Sequence, residues 1–128
     1  MKYLLDTHTL LWYLKKEGSI PAIVQALIQD PRNEIIVNIA SFWKMAIKNS
    51  IGKLSLDQPL SILFSETRKQ KFQIAQIDEA FILIVNSLPL HHKDPFDRIL
   101  IAHCLHENIP VLGIDTAFDA YGITRIWG

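Results

Sequence analysis

The sequence predicts an α/β fold in which a mostly parallel central sheet is covered by helices on both faces. Short apolar runs typical of buried strands alternate along the chain with segments of about ten residues that have helical spacing. The 128 residues, 49% hydrophobic and 20% charged, are typical of one globular domain with a single core. We therefore expect residues 1–128 to form one three-layer α/β/α domain.

Five apolar or β-branched runs predict the strands. The first ends at Leu5, and the second begins at Glu34 with two consecutive isoleucines. Such short apolar runs, flanked by turn residues, are typical of strands buried in a parallel sheet. The predicted strands cover residues 2–5, 34–39, 72–77, 110–114 and 124–127.

The predicted helices have ordinary start and stop signals. Gly18 stops the first helix, and Ser19 and Pro21 suit the start of the second. Ser41 is the candidate N-cap of the third helix and Asp78 that of the fifth. The predicted helices cover residues 7–16, 19–30, 41–49, 59–69, 79–87 and 95–107, with a short one around Phe118.

Three aspartates occupy places that a parallel sheet brings together. Asp6 ends the first apolar run, Asp115 follows the last strong one, and Asp97 lies in the first turn of helix 95–107. Open α/β folds bind ligands at the carboxyl ends of their strands. Because gathered carboxylates repel each other, they need a cation, and Mg²⁺ or Mn²⁺ suits oxygen ligands. The pattern predicts a metal site.

Each of these acids also has a purely structural interpretation. An aspartate between a strand and a helix is a favoured N-cap, which stabilises a helix by about 0.5–2 kcal/mol relative to alanine. Asp94 is the clearest cap, because Pro95 disfavours the α conformation at Asp94 and suits the first helical position. The helix dipole favours Asp97 in the first turn. For Asp6 and Asp115, both interpretations remain open.

The charge balance and the single cysteine limit the classes of function. With 13 basic and 13 acidic residues, the chain has no global positive field, so any nucleic-acid contact must be local or bridged by metal. Cys104 has no partner for an internal disulfide, which suits a reducing compartment. Asp6 cuts the first apolar run far below the length of a membrane segment. We expect a cytoplasmic protein that does not contact membranes.

Four segments carry a resemblance to a known family. They read MKYLLDTHTLLWYL, VNIASFWKMAIKNSIGKLSL, LPLHHKDPFDRILIAHCL and IPVLGIDTAFDAYGI. In this order, nearly end to end, they are similar to the landmark segments of the PIN-domain family, in particular its VapC-type toxins. The DPFDR segment, the AS-x-W-x-x-AIK-x-x-x-GKL segment and the D-x-x-F-x-x-Y-G ending are specific when taken together.

The resemblance implies both a fold and a function. It implies a small α/β/α domain that acts as a divalent-metal-dependent ribonuclease and is inhibited by a cognate antitoxin, with a homodimer as a further implication. The family's acidic residues fall on Asp6, Asp97 and Asp115, which would bind Mg²⁺ or Mn²⁺ and carry the catalysis of RNA cleavage.

Two positions depart from the family's pattern. The usual glutamate falls on Lys44, which replaces an expected carboxylate with an ammonium and could pair with Asp6 and Asp97 in place of a metal. At an effective dielectric constant of about 20, two unit charges 4 Å apart interact by around 4 kcal/mol. A Lys44 that points into the site is therefore expected to impair metal binding and cleavage, whereas its flexible side chain could instead turn outward. Where many members have threonine or serine, this chain has Gly113.

Other polar residues near these positions have proposed supporting roles. Thr7 and Thr116 are candidate hydroxyl groups behind the metal ligands, and Asp119 could act through a water from one helical turn beyond Asp115. Arg98 and Lys93 flank Asp97 and are candidates for RNA phosphate contacts. The histidines are interpreted as loop or structural residues: His8, His91, His92, His103 and His106.

Two other functional classes share features of this sequence. A signalling receiver domain has similar length but needs paired acids after its first strand and a late lysine, whereas this chain has a lone Asp6 and then Asp115. The stronger alternative is a PIN-like fold that has lost catalysis through Lys44 and serves as a protein-binding module. Ribonuclease and binding module share one fold, so only their chemistry distinguishes them.

Overall fold

A five-stranded parallel sheet forms the middle layer of the computed structural model, which describes residues 1–128. The strand order is β3-β2-β1-β4-β5, and every neighbouring pair is parallel. The α/β class and the parallel sheet predicted from the sequence are confirmed. The strands are β1 (Lys2–Leu5), β2 (Glu34–Asn38), β3 (Gln73–Ala75), β4 (Val111–Leu112) and β5 (Arg125–Ile126).

Six α-helices and one 3₁₀ helix connect the strands. Each predicted helix is present, although the ends differ by a few residues from those expected. The α-helices are α1 (Thr7–Lys15), α2 (Ala22–Gln29), α3 (Ile39–Ser50), α4 (Leu60–Lys69), α5 (Glu79–Ser87) and α6 (Pro95–Glu107), and the 3₁₀ helix is Thr116–Tyr121. None of them is long and apolar enough to cross a bilayer.

The strands alternate between two hydrophobic clusters, one on each face of the sheet. In β1, Tyr3 and Leu5 pack in the cluster that also receives α1 to α4, whereas Leu4 packs in the cluster beneath α6. In β2, Ile36 shares the face of Leu4. The sheet is therefore covered on both faces, which makes the domain the three-layer α/β/α structure predicted from the sequence.

The start of α3 differs from the expectation. The predicted N-cap was Ser41, but the helix begins at Ile39 because the Asn38 side chain accepts a hydrogen bond of 2.9 Å from the Ala40 amide. Ser41 is buried instead and accepts a hydrogen bond of 2.9 Å from the Thr7 hydroxyl. This bond ties the first turn of α1 to the first turn of α3.

The start of α2 also lacks the predicted cap. Pro21 occupies the N-cap position without a side-chain hydrogen bond, so Ser19 does not cap this helix. Gly18 is required nearby for two reasons: its φ angle is +78°, and a β-carbon there would lie 2.7 Å from Cγ of Trp12.

Candidate metal centre

The predicted acids lie at the carboxyl edge of the sheet, around the point where the strand order reverses. From β1 the chain continues to β2 on one side, while β4 pairs with β1 on the other. Asp6 directly follows β1, and Asp115 lies three residues after the end of β4. Asp97 enters from the first turn of α6. Crevices of this kind are the ordinary ligand sites of open parallel sheets.

Asp6 and Asp115 also cap helices, so the two interpretations of these acids are compatible. Asp6 Oδ1 accepts a hydrogen bond of 2.8 Å from the Thr9 amide, and Asp115 Oδ1 accepts one of 2.9 Å from the Ala117 amide. In both residues the second oxygen, Oδ2, takes no part in the cap. One carboxylate can thus begin a helix and still present an oxygen to a ligand.

Asp6 is the most deeply buried of these acids. Its exposed fraction is 3%, and Oδ2 has no hydrogen-bond partner. Burial raises the pKa of Asp6 above its ordinary value, although the Thr9 amide opposes this effect. Gly113 makes the position possible, because a β-carbon there would lie 2.3 Å from Asp6 Oδ2. At Gly113, the departure from the family's pattern gives space to the carboxylate.

Lys44 lies inside the site and forms ion pairs with two acids of α6. Its Nζ is 3.1 Å from Asp94 Oδ2 and 3.4 Å from Asp97 Oδ2. Burial alone would lower the pKa of Lys44, but attraction to Asp97 and Asp94 outweighs it, and the pKa is raised. The sequence predicted a partner pair of Asp6 and Asp97. The observed second partner is Asp94, because the carboxylate of Asp6 is turned towards the Thr9 amide and Gly113.

Asp94 connects the cap of α6 to this ion pair. Its Oδ1 accepts hydrogen bonds of 2.9 Å from the Phe96 amide and 3.0 Å from the Asp97 amide, as predicted for the helix cap. Burial alone would raise the pKa of Asp94, but these amides and the Lys44 ammonium together lower it. Asp94 therefore stays ionised beside Lys44 down to more acidic pH than an ordinary aspartate.

His92 is the site residue that sequence reasoning missed. Its Nε2 lies 3.0 Å from Asp97 Oδ2 and 3.5 Å from Asp115 Oδ2. One ligand atom from each of the three residues forms a group in which all separations are within 4.8 Å. The sequence offered only a weak signal, a histidine five residues before Asp97, and the adjacent His91 favoured a loop role because neighbouring side chains point apart. His91 instead packs edge-on against Tyr121.

Arg98 has a different role from the predicted RNA contact. Only 8% of the residue is exposed, and its guanidinium donates hydrogen bonds to backbone carbonyls in the last turn of α5 and in the segment that follows this helix. The accepting carbonyls belong to Val85, Leu88, Pro89 and His92. With its donors engaged inside the fold, Arg98 holds this segment in place and is not available to a phosphate. Lys93 is exposed and forms no ion pair.

The remaining predicted residues surround the site unevenly. The Thr7 hydroxyl is buried and donates to Ser41, so it supports the framework behind Asp6. Thr116 is exposed and makes no side-chain hydrogen bond. Asp119 is paired with Arg125, at 3.0 Å from Nε, and Arg125 also donates to the Gly113 carbonyl.

The donor set fits a small divalent cation. Carboxylate oxygens and an imidazole nitrogen are ordinary ligands for such ions, and the close group consists of His92, Asp97 and Asp115. Asp6 lies outside this group, although its buried Oδ2 has no hydrogen-bond partner. Asp97 and Asp115 offer further oxygens. Lys44 opposes this fit only in part, because its ammonium contacts Asp94 and Asp97 but neither Asp115 nor His92. The site can thus hold a cation at the cost of competition with Lys44.

Comparisons with known proteins agree with this architecture. The PIN domain profile matches residues 3–123, almost the whole chain. No curated protein matches the sequence.

Solved structures of low sequence identity share the fold. The crystal structure of VapBC2 from Rickettsia felis, bound to a DNA fragment from its promoter, matches with a TM-score of 0.69 at 13% identity, covering 100% of each chain. VapBC-1 from nontypeable Haemophilus influenzae matches with a TM-score of 0.69 at 18% identity, covering 98% of this chain and 97% of the other. FitAcB from Neisseria gonorrhoeae has a TM-score of 0.65 at 15% identity, with coverages of 97% and 96%.

Proposed function

The chain belongs to the PIN domain family, and on that premise we propose that it is a metal-dependent ribonuclease, the toxin of a toxin-antitoxin pair, restrained by Lys44. The observation that carries the proposal is the group of ligand atoms from His92, Asp97 and Asp115 at the switch point of the sheet, where the buried carboxylate of Asp6 also ends β1. Asp6, Asp97 and Asp115 come from three separate elements, and each is placed by its own helix start. We expect the protein to act in the cytoplasm.

The side chains of this site suit the hydrolysis of a phosphodiester in RNA. Asp6, Asp97 and Asp115 would hold Mg²⁺ or Mn²⁺, whose contribution is to stabilise the charge that develops on the phosphate. Asp6 is fixed by the Thr9 amide and is screened from water, so its charge is not weakened by solvent. Exposed Lys93 lies beside the site and can attract an RNA phosphate.

Lys44 restrains this chemistry by supplying an internal cation. Its ammonium already neutralises part of the charge of Asp94 and Asp97, so less anionic charge is left to attract a metal ion. A metal ion bound by Asp97 would also repel Lys44 at close range. We expect slow cleavage, with a requirement for high metal concentration.

A protein partner is the second part of the proposal. An apolar groove beside the site is lined by α3 and α4 residues, and Trp43 on its rim is 53% exposed. The VapBC structures named above pair their PIN-fold chain with a second protein, and we propose a cognate antitoxin as the occupant here. A homodimer is proposed on the family resemblance.

An inactive protein-binding module is the competing function. The favouring observation is the double ion pair of Lys44, because an ammonium between Asp94 and Asp97 can stabilise the acids without any metal. In that case the apolar groove would be the only functional surface.

RNA cleavage by charge variants at one helix distinguishes the two functions. We would compare the native chain with Lys44→Glu in Mn²⁺ and in Mg²⁺. The matched control is Lys48→Glu, which makes the same charge change one turn later at an exposed position of α3. We expect Lys44→Glu to cleave RNA at least about tenfold faster than the native chain, because one electrostatic contact in a catalytic site usually changes the rate by that factor or more. We expect Lys48→Glu to cleave at the rate of the native chain.

Two results would contradict the proposal. Equal, robust cleavage by the native chain and Lys44→Glu would show that Lys44 imposes no restraint. A total lack of cleavage in both, with the RNA left intact at any metal concentration, would favour the binding module.

A further inference from the structure

We propose that His92 is a nitrogen ligand of the metal ion and that it shifts the preference of the site from Mg²⁺ towards Mn²⁺ and other transition ions. The inference rests on the metal dependence proposed above. It concerns a residue outside the acidic set that the family resemblance implies, and it follows from the position of one imidazole.

The first observation is an unpartnered nitrogen. His92 Nε2 is buried and has no hydrogen-bond partner, although Asp97 Oδ2 is only 3.0 Å away. At that distance a ring N–H aimed at the oxygen would form a strong hydrogen bond. The oxygens of Asp97 and Asp115 thus lie close to this nitrogen without forming a hydrogen bond with it. A cation between the three atoms would give the nitrogen the partner that it lacks.

The second observation is the spacing of the atoms. Neighbouring ligands around an octahedral ion with bonds of about 2.1 Å lie about 3.0 Å apart. The separation of His92 Nε2 and Asp97 Oδ2 is 3.0 Å, and that of Nε2 and Asp115 Oδ2 is 3.5 Å. Both separations suit ligands that share one ion.

The third observation is that the fold holds His92 rigidly. The Tyr121 hydroxyl accepts a hydrogen bond of 2.9 Å from the His92 amide and donates one of 2.7 Å to the Pro89 carbonyl. Arg98 donates to the carbonyls of the same two residues. Both backbone polar groups of His92 are thus fixed, which directs its ring towards Asp97 and Asp115. Residues that fix a ligand in this way raise metal affinity.

Metal binding requires one local adjustment. His92 Nδ1 accepts a contact of 3.3 Å from the Asp94 amide. Ligation through Nε2 places the ring proton on Nδ1, so this contact is lost. The contact is longer than the ordinary 2.7–3.2 Å, but its loss leaves two N–H donors facing each other, so the ring and the Asp94 amide have to separate slightly. The Asp94 side chain continues to cap α6.

The chemistry of the ligand determines the preferred ion. Mg²⁺ favours oxygen ligands and retains several waters, whereas imidazole suits transition ions. A neutral imidazole also brings no negative charge to the ion, so it attracts Mg²⁺ less than a further carboxylate would. We therefore expect Mn²⁺ to bind more tightly than Mg²⁺ to this chain.

Direct binding of Mn²⁺ tests the proposal without an activity assay. Electron paramagnetic resonance of Mn²⁺ would measure both the bound fraction and any nitrogen hyperfine coupling from a ligating imidazole. The variants are His92→Gln and the control His91→Gln, which alters an exposed histidine beside it that faces Tyr121. Each change is also made in Lys44→Met, where the competing ammonium is absent.

We expect nitrogen coupling in the native chain or in Lys44→Met, and its loss in His92→Gln. Mn²⁺ affinity should fall about tenfold or more in His92→Gln, a loss typical of altered metal surroundings, while Mg²⁺ affinity changes less. His91→Gln should retain both coupling and affinity. Absence of Mn²⁺ binding in both backgrounds, or binding without nitrogen coupling, would overturn the proposal. Mn²⁺-dependent RNA cleavage that persists unchanged in His92→Gln would overturn it while leaving the proposed function intact.

Discussion

Helix α6 carries buried polar groups at both ends, and the two ends hold them in opposite ways. Towards its end, His103 is enclosed by satisfied partners: Nδ1 accepts from the Asn38 amide group at 3.1 Å, and Nε2 pairs with Glu107. Just before its start, His92 Nε2 lies close to Asp97 and Asp115 without forming a hydrogen bond. Both ring nitrogens of His103 thus have partners, whereas Nε2 of His92 has no hydrogen bond.

The difference separates stability from function. A buried network whose members are all satisfied stabilises a fold and makes it unique. Here Asn38 caps α3 and binds His103, so this network joins the start of α3 to the later part of α6. A buried polar atom without a partner destabilises the fold unless a ligand restores the missing interaction. The start of α6 therefore fits the proposed ligand site, and its end belongs to the framework.

His103 stays neutral because of its surroundings. Burial lowers its pKa, although nearby Glu107 opposes this effect. Phe81 stacks on the ring, with centroids 4.4 Å apart. Since Asn38 donates to Nδ1, the ring proton lies on Nε2, facing Glu107.

Removing each histidine in turn gives the largest expected difference between the two ends. His103→Ala leaves a cavity beneath Phe81 and strands the Asn38 donor, so we expect a loss of about 2–4 kcal/mol in the free energy of unfolding. His92→Ala removes an imidazole whose Nε2 is unsatisfied, so we expect a loss below about 1 kcal/mol. Urea denaturation of metal-free protein measures both.

The affinity for Mn²⁺ should change more in His92→Ala than in His103→Ala, the reverse of the order for stability. His103→Ala is expected to bind Mn²⁺ like the native chain at temperatures where it is folded, and His92→Ala is not. His106→Ala is the control, because His106 lies on the same helix at an exposed position and touches only the edge of Phe81. Equal destabilisation by the two changes would erase the proposed distinction between framework and site.

At Asp6 we expect a smaller change in the free energy of unfolding, and here the substitution stabilises the metal-free protein. Because the pKa of Asp6 is raised by burial, stability falls as the pH rises from the ordinary value of 3.8 through the folded-state pKa. At neutral pH, Asp6→Asn removes the buried charge and keeps an oxygen for the Thr9 amide. We expect a gain of about 0.5–2 kcal/mol in metal-free protein, typical of relieved functional sites, together with weaker Mn²⁺ binding.

The control for this change is Asp57→Asn at an exposed position. It should alter neither stability nor Mn²⁺ binding. A loss of stability in Asp6→Asn would mean that the Asp6 charge is already compensated in the metal-free fold.

The sequence was most informative where an element is determined locally. The apolar run before Asp6, the Asp94-Pro95 start of α6 and the Asp78 cap of α5 each depend on neighbouring residues, and the structure has all three. Parallel pairing followed from the alternation of strands and helices. Helix α3 began earlier than expected because Asn38, a β2 residue, caps it while also binding His103 from another element.

The contacts inside the site could not be read from sequence order. Lys44 pairs with Asp94 as well as Asp97 because α3 packs against α6, and the choice between Asp6 and Asp94 depends on side-chain direction. His92 reaches the acids because Arg98 and Tyr121 bind the backbone of its segment, and Tyr121 lies in another element, distant in sequence. From the sequence, Arg98 could equally be a surface cation, because the backbone carbonyls that it binds are known only from the fold.

The smallest expected effect is a pH dependence that belongs to one end of α6 alone. Because the folded-state pKa of His103 is lowered, the unfolded chain binds its proton first as the pH falls. The stability contributed by His103 is complete above its ordinary pKa of about 6.5 and declines below that value, by at most about 1.4 kcal/mol per pH unit. His103→Ala should therefore be less destabilising at acidic than at neutral pH, by about 1 kcal/mol or less. Urea denaturation of both proteins at pH 7.5 and pH 5.5 measures this difference, and His106→Ala serves again as control. A destabilisation that does not change with pH would mean that the burial of His103 does not exclude its proton, and the network at the end of α6 would then accept a charged imidazole.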